Sequence, residues 1–247
     1  MRVLTLAVVG VLIVGSQSRA ADWGNIKGKV VLSGDAPSAG KLEITKDQDH
    51  CLSKGPIMSE NWVVNKDNKG VKNVFVWLVP AGGGKLQVHP DLATIKEKTV
   101  SLDQPCCAFE PHCLAVREGQ KLEVKNSAPI AHNVSWVGGP VKNPGGNQII
   151  PAGNSKMIDL KSDKQAISVS CQIHPWMKGW IWCFDHPYFA VTDADGNFEI
   201  KNAPAGKVNL VVWQEAMGFK GGSAGRSGSP IEVKKGDNDL GKIEVKP

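Results

Sequence analysis

The sequence predicts an all-β protein made of sandwiches. Three observations predict it. Short runs rich in Val, Ile, Phe and Trp recur along the chain, bounded by clusters of Gly, Pro, Asn and Asp. No heptad pattern and no long amphipathic helical stretch interrupts them. The 27 Gly and 15 Pro in 247 residues supply many turns, while 41% hydrophobic content can fill a sizeable core. Charged residues make up 21%, near the globular average, which argues against wholesale disorder.

The elements follow in chain order. Residues 27–32 are a short β-branched run. Residues 71–79 read Val-Lys-Asn-Val-Phe-Val-Trp-Leu-Val, with Asp67-Asn68-Lys69-Gly70 before them and Pro80 and three glycines after. A short helix is expected at 91–98. Residues 121–125 alternate apolar and charged side chains, and further strands are expected at 166–170 and 179–184. Strands at 188–192 and 197–201 flank Asp193-Ala194-Asp195-Gly196, which reads as a hairpin turn. It is not an EF-hand loop, because Gly196 stands fourth from Asp193 rather than sixth. Strands at 208–213 and 231–233 follow. The Gly/Ser-rich stretch 218–229 between them is expected to be a mobile loop.

The N-terminus sets the expected compartment. Arg2 precedes an apolar run, and Ser18-Arg19-Ala20 places small residues where a signal peptidase reads them. Residues 1–20 are therefore expected to be a signal peptide, cut after about Ala20. The apolar run is short for a membrane span and no second one appears, so a soluble periplasmic or secreted protein is expected. Removing Arg2 and Arg19 leaves 27 basic against 24 acidic residues. That mild, scattered excess carries no nucleic-acid footprint. Export permits disulfides among the six Cys.

Chemistry concentrates in two segments. Ser170-Cys171-Gln172-Ile173-His174-Pro175-Trp176-Met177 carries Cys, His and Met at three-residue spacing, and Ala131-His132-Asn133-Val134 supplies another His. A strand signal precedes each. A thiolate, two imidazoles and a thioether form a ligand set for one copper ion. The sulfurs favour Cu(I) and imidazole tolerates Cu(II), so such a set compromises between both states. The rivals fit less well. A binuclear copper centre needs a second Cys where Gln172 and Ile173 stand. Multicopper oxidases need His-x-His pairs and attached haem needs Cys-x-x-Cys-His; neither occurs. Structural zinc prefers several Cys or His, and Met is a poor zinc ligand. A Glu-ligated copper site remains open only if Met177 is not used.

These segments resemble the cupredoxins, the type 1 blue copper proteins, and among them those with the shortest ligand loop, such as amicyanin. The resemblance covers roughly residues 110–185. It implies a Greek-key sandwich and one type 1 copper held by His132, Cys171, His174 and Met177. It also implies that Asn133 braces the ligand loop and that the His174 edge faces solvent as the electron gateway. Pro175 has no N–H and gives the Cys171 sulfur no hydrogen bond, which should lower the reduction potential. Trp176 beside it forms either a docking patch for a redox partner protein or simple loop packing.

With Cys171 on the metal, Cys51, Cys106, Cys107, Cys113 and Cys183 remain as candidates for disulfides. Five is odd, so one at least is left over. Cys51 is expected to bridge to Cys106 or Cys107, and Cys113 to Cys183. A second metal site would draw on His50-Cys51, Cys106-Cys107 and His112-Cys113. His89 and His186 each precede Pro and read as surface residues.

The segment from Tyr188 to Gly206, with Thr192-Asp193 and Pro204-Ala205-Gly206, resembles the carboxypeptidase regulatory-like (transthyretin-like) sandwich. The opening strand of that family matches Gly28-Lys29-Val30-Val31-Leu32, far upstream. The resemblance therefore implies a second, smaller β-sandwich split by an insertion: residues 21–100 as its first half, 101–186 as the copper domain and 187–247 as its second half. No His-x-x-Glu zinc-protease motif is present and no enzyme activity is expected. The expected function is one-electron transfer between redox partners. The alternatives are a copper carrier or sensor, and an envelope scaffold or adhesion protein.

Overall fold

The structure is a computed structural model and describes residues 22–247. The expected signal peptide lies outside the described residues. The chain is all-β. In order, its strands are β1 (Trp23–Leu32), β2 (Phe75–Pro80), β3 (Thr99–Leu102), β4 (Cys113–Arg117), β5 (Lys121–Lys125), β6 (His132–Val137), β7 (Gly146–Ile150) and β8 (Ser155–Asp159). They continue as β9 (Ile167–Ser170), β10 (Lys178–Phe184), β11 (Phe189–Val191), β12 (Asn197–Pro204), β13 (Gly206–Gln214), β14 (Gly218–Phe219), β15 (Ser229–Val233) and β16 (Gly236–Val245). Two single-turn helices interrupt them, α1 (Gln48–Cys51) and α2 (Pro90–Ala93). Among the described residues no helix is long and apolar enough to cross a membrane.

The strands form four sheets: β12-β1-β16, then β11-β2-β13-β14 with β15 on β13, then β4-β10-β9-β6-β7, then β3-β5-β8. Strand alternation stacks them in that order, because successive side chains of a strand face opposite ways. In β2, Val76 and Leu78 join the core against β1 and β12, while Phe75 and Trp77 face the third sheet. In β13, Val208, Leu210 and Val212 face the first sheet, and Val211 and Trp213 the third. In β10, Trp182 and Phe184 meet the second sheet, while Ile181 and Cys183 pack with Leu102, Leu122 and Val124 of the fourth. The central strands β2, β13 and β10 are thus buried on both faces, which is why residues 71–79 and 208–213 read as near-continuous apolar runs.

Both ends of the chain build the first and second sheets. β1 pairs antiparallel with β12 and parallel with β16. β2 pairs antiparallel with β11 and β13. The four-residue turn at Asp193 to Gly196 is not a hairpin between paired strands. Its flanking strands belong to different sheets, so it is a corner that carries the chain from β2's sheet to β1's. Asp193 Oδ1 accepts the Asp195 and Asn197 N–H groups, and Val30 N–H donates to Gly196 O at 2.8 Å.

Other expectations also change. The helix expected at 91–98 is only α2, capped by His89 Nδ1, which accepts the Asp91 N–H at 3.1 Å. The β-branched pair Thr94-Ile95 follows it, and Thr94 is already extended. The stretch 218–229 contains β14 and a 3₁₀ turn, Gly222–Ser227, with the Arg226 guanidinium 5.1 Å from the Phe219 ring. His89 and His186 are half-buried rather than surface residues; His186 stacks on Tyr188. Cys113 and Cys183 lie on paired strands but do not bond. Cys113 is opposite Trp180 and Cys183 opposite Val116, and the two thiols face different cores.

Candidate metal centre

Strand register assembles the site. β6 and β9 pair antiparallel with Ser135 opposite Ser170. That register carries Cys171, just past the end of β9, alongside the start of β6 at His132 and Asn133. The chain then loops through residues 171–177 into β10. Cys171 N–H donates to Met177 O at 3.2 Å and Met177 N–H to His174 O at 2.9 Å, which closes the loop on itself.

Asn133 anchors that loop from β6. Its Oδ1 accepts the backbone N–H groups of Gln172 at 2.8 Å and Ile173 at 3.1 Å, and lies 3.3 Å from Cys171 Sγ. Its Nδ2 donates to Asn147 Oδ1 at 2.7 Å, and Asn147 Nδ2 donates to Gln172 Oε1 at 2.9 Å. One amide thereby satisfies two loop donors and ties β6, β7 and the loop together.

Three donor atoms converge. His132 Nδ1 and His174 Nδ1 are 2.9 Å apart, and Cys171 Sγ is 3.9 Å from the first and 3.8 Å from the second. A triangle of this size can be spanned by one ion at ordinary metal–nitrogen and metal–sulfur bonds of about 2.0–2.3 Å. All three residues are buried, and so is Met177 at the end of the loop. Burial pushes the His132 pKa down to about 4; the neighbouring His174 and His50 add to this, and Asp47 opposes it. At neutral pH its imidazole is unprotonated and offers a lone pair. Its Nε2 is buried without a hydrogen-bond partner.

His174 differs from the expectation that its edge faces solvent: it is 0% exposed. The segment around α1 covers it, and Asp47 Oδ2 sits 2.8 Å from His174 Nε2. Cys51, at the end of α1, is bonded to Cys107, and both sulfurs lie within 4.8 Å of a His174 ring nitrogen. Trp176 sets its ring edge-on to His174 at 5.2 Å and donates its indole N–H to Cys107 O at 3.2 Å. Trp176 therefore packs the loop against the bridge, while Pro175 is exposed. Nothing in the motif pointed to Asp47. The one signal was the expected bridge at Cys51, one helical turn further on, which had to bring this segment to the site.

The remaining candidates do not form a second metal site. Cys106 is unbonded and half-buried, its Sγ 3.8 Å from His50 O. His112 lies elsewhere, between Glu215 Oε1 at 2.5 Å from Nε2 and Glu60 Oε2 at 3.4 Å from Nδ1. Nε2 is hydrogen-bonded to Glu215, and Nδ1 faces the Glu60 carboxylate without a hydrogen bond.

No family model matches the chain, and no curated protein matches it. Solved structures do. A reduced tryptophan-to-tyrosine mutant of amicyanin is 18% identical, with a TM-score of 0.32, over 37% of this chain and 87% of that one. The Cu(I) form of a methionine-to-alanine mutant of amicyanin is 16% identical, with a TM-score of 0.32, over 45% of this chain and 98% of that one. A purple cupredoxin from Nitrosopumilus maritimus is 16% identical, with a TM-score of 0.28, over 34% and 97% respectively.

Proposed function

We propose that this is an exported protein that holds one copper ion through His132, Cys171, His174 and Met177 and passes single electrons between partner proteins. The convergence of His132 Nδ1, His174 Nδ1 and Cys171 Sγ at 2.9–3.9 Å in a buried pocket carries the reading. A soft sulfur with two imidazoles suits copper in either oxidation state better than zinc or a hard cation. When bound, the ion supplies a reversible one-electron couple.

The chain's own residues hold the geometry constant. Asn133 fixes the loop backbone, the Cys171–Met177 hydrogen bond closes it, and burial keeps His132 unprotonated and water away from the donors. A rigid donor set changes little between oxidation states, which favours fast electron exchange. The apolar run after Arg2 supports export, and the Cys51–Cys107 bridge suits an oxidising compartment.

A copper carrier or sensor is the second reading. The burial of His174 favours it, because no edge of that ligand is open to a docking partner. The visible spectrum of the copper-loaded protein tests the site: a strong thiolate-to-copper band is expected, lost in Cys171→Ser. Reduction of the loaded protein by a small electron donor, followed by reoxidation, separates the two readings.

A further inference from the structure

Asp47 occupies the N-cap position of α1, where an Asp side chain ordinarily accepts a backbone N–H of the first turn. Here it makes no such bond. Its backbone is left-handed, at φ 48° and ψ 39°, and its carboxylate turns instead to His174 Nε2 at 2.8 Å. Two local conveniences, a satisfied cap and a relaxed φ, are forgone for one contact. Such departures collect where function constrains the chain.

The contact is held from several sides. Cys51 lies four residues beyond Asp47 and is covalently tied to Cys107. Cys107 O in turn receives the Trp176 indole N–H, and Trp176 is edge-on to the His174 ring. The ring of His174 is thus fixed by a carboxylate, a disulfide and an indole, with Nδ1 toward His132 and Cys171.

We infer that Asp47 is a positioning residue for the metal ligand His174, and that the Cys51–Cys107 bridge holds Asp47 in place. This rests on the copper reading above. The carboxylate accepts the proton on Nε2, which leaves the Nδ1 lone pair facing the centre and makes the imidazole a stronger donor. A stronger, anion-backed donor favours Cu(II) over Cu(I). Partners of this kind typically contribute ten- to a hundredfold in metal affinity.

The test uses the full chain, copper-loaded and metal-free, as wild type, Asp47→Asn and Asp47→Ala. Asn keeps an acceptor oxygen and removes the charge; Ala removes both. Cu(II) affinity is expected to fall about tenfold or more relative to Cu(I) in both variants, more in Ala, and each tenfold raises the one-electron potential by about 59 mV. Removing the bridge with Cys51→Ala/Cys107→Ala should shift the potential the same way and blunt the effect of Asp47→Asn. In the metal-free wild type, nitrogen NMR should show His174 protonated at Nε2 and bare at Nδ1, a preference lost in Asp47→Ala. A wild-type protein without a thiolate band refutes the copper reading itself. A normal band with unchanged potentials in both Asp47 variants refutes this inference, even if their melting temperatures fall.

Discussion

His112 Nε2 and Glu215 Oε1 meet at 2.5 Å where the segment leading into β4 approaches the end of β13. The contact joins the third sheet to the second. Glu215 Oε2 also accepts the Trp180 indole N–H at 2.7 Å, and Glu60 flanks the other face of the imidazole. Burial alone depresses the His112 pKa, but the hydrogen bonds and charges of Glu215 and Glu60 outweigh it and raise it to about 9. An imidazolium between two carboxylates is therefore a structural clasp between layers.

That clasp predicts a pH dependence. A folded pKa near 9 against an ordinary 6.5 stabilises the protein fully below about pH 6.5, and the gain is lost as pH rises through 9. The loss is on the order of 2–3 kcal/mol. Chemical denaturation between pH 6 and 9.5 should show it, and His112→Gln should flatten it. Lys72 and the buried Cys113 thiol also face this cluster. Cys113 is pushed up out of the window by burial. A wild-type profile as flat as the variant's would refute the clasp.

Asn133→Ala should weaken both the loop and the centre. It leaves the N–H groups of Gln172 and Ile173 without their acceptor. Each unsatisfied donor costs about 1–3 kcal/mol. Thermal unfolding of the metal-free protein should show this loss, and copper loading should give a shifted or weaker thiolate band. Unchanged melting would mean that other groups take over the two donors.

Trp182→Ala should be among the most damaging core substitutions. Its ring contacts Trp77 at 4.5 Å, Trp213 at 5.5 Å and Phe75 at 5.9 Å across the interface of the inner sheets. Truncation of a buried Trp costs about 3–5 kcal/mol. A double-mutant cycle with Trp77→Ala should return a coupling of about 0.5–1.5 kcal/mol. Additive losses would show that the rings only fill space.

Gly70→Ala is expected to destabilise without touching any core. A Cβ there would stand 1.9 Å from Asp195 O, at the corner between the first and second sheets. The backbones must separate, at a cost of about 1–3 kcal/mol. A stability within 0.5 kcal/mol of wild type, roughly the spread of neutral surface changes, would mean the corner yields freely.

Much of the fold is legible where side chains are buried on both faces. The runs at 71–79, 179–184 and 208–213 announce the inner strands because apolar residues fill successive positions rather than alternate ones, from Val74 to Val79 and from Leu210 to Trp213. No strand is expected from the sequence at β3, β4, β6, β7, β8 or β16; in the last three, Gln148, Lys156 and Asp239 give a loop-like polarity, and pairing with a neighbour rather than local propensity makes them strands. The candidate metal ligands are legible because three of them crowd into one seven-residue loop. Asp47 was not, because its role depends on a contact across 127 residues that only the folded chain creates.

Stacking four sheets with a core between each pair leaves the central strands β2, β13 and β10 without a wet side. The third and fourth sheets are therefore not a separate cassette, because their outward apolar face is shared with the second. Parting the second and third sheets uncovers Trp182, Phe184 and Trp213 together. The two halves of the chain thus share one aromatic seam.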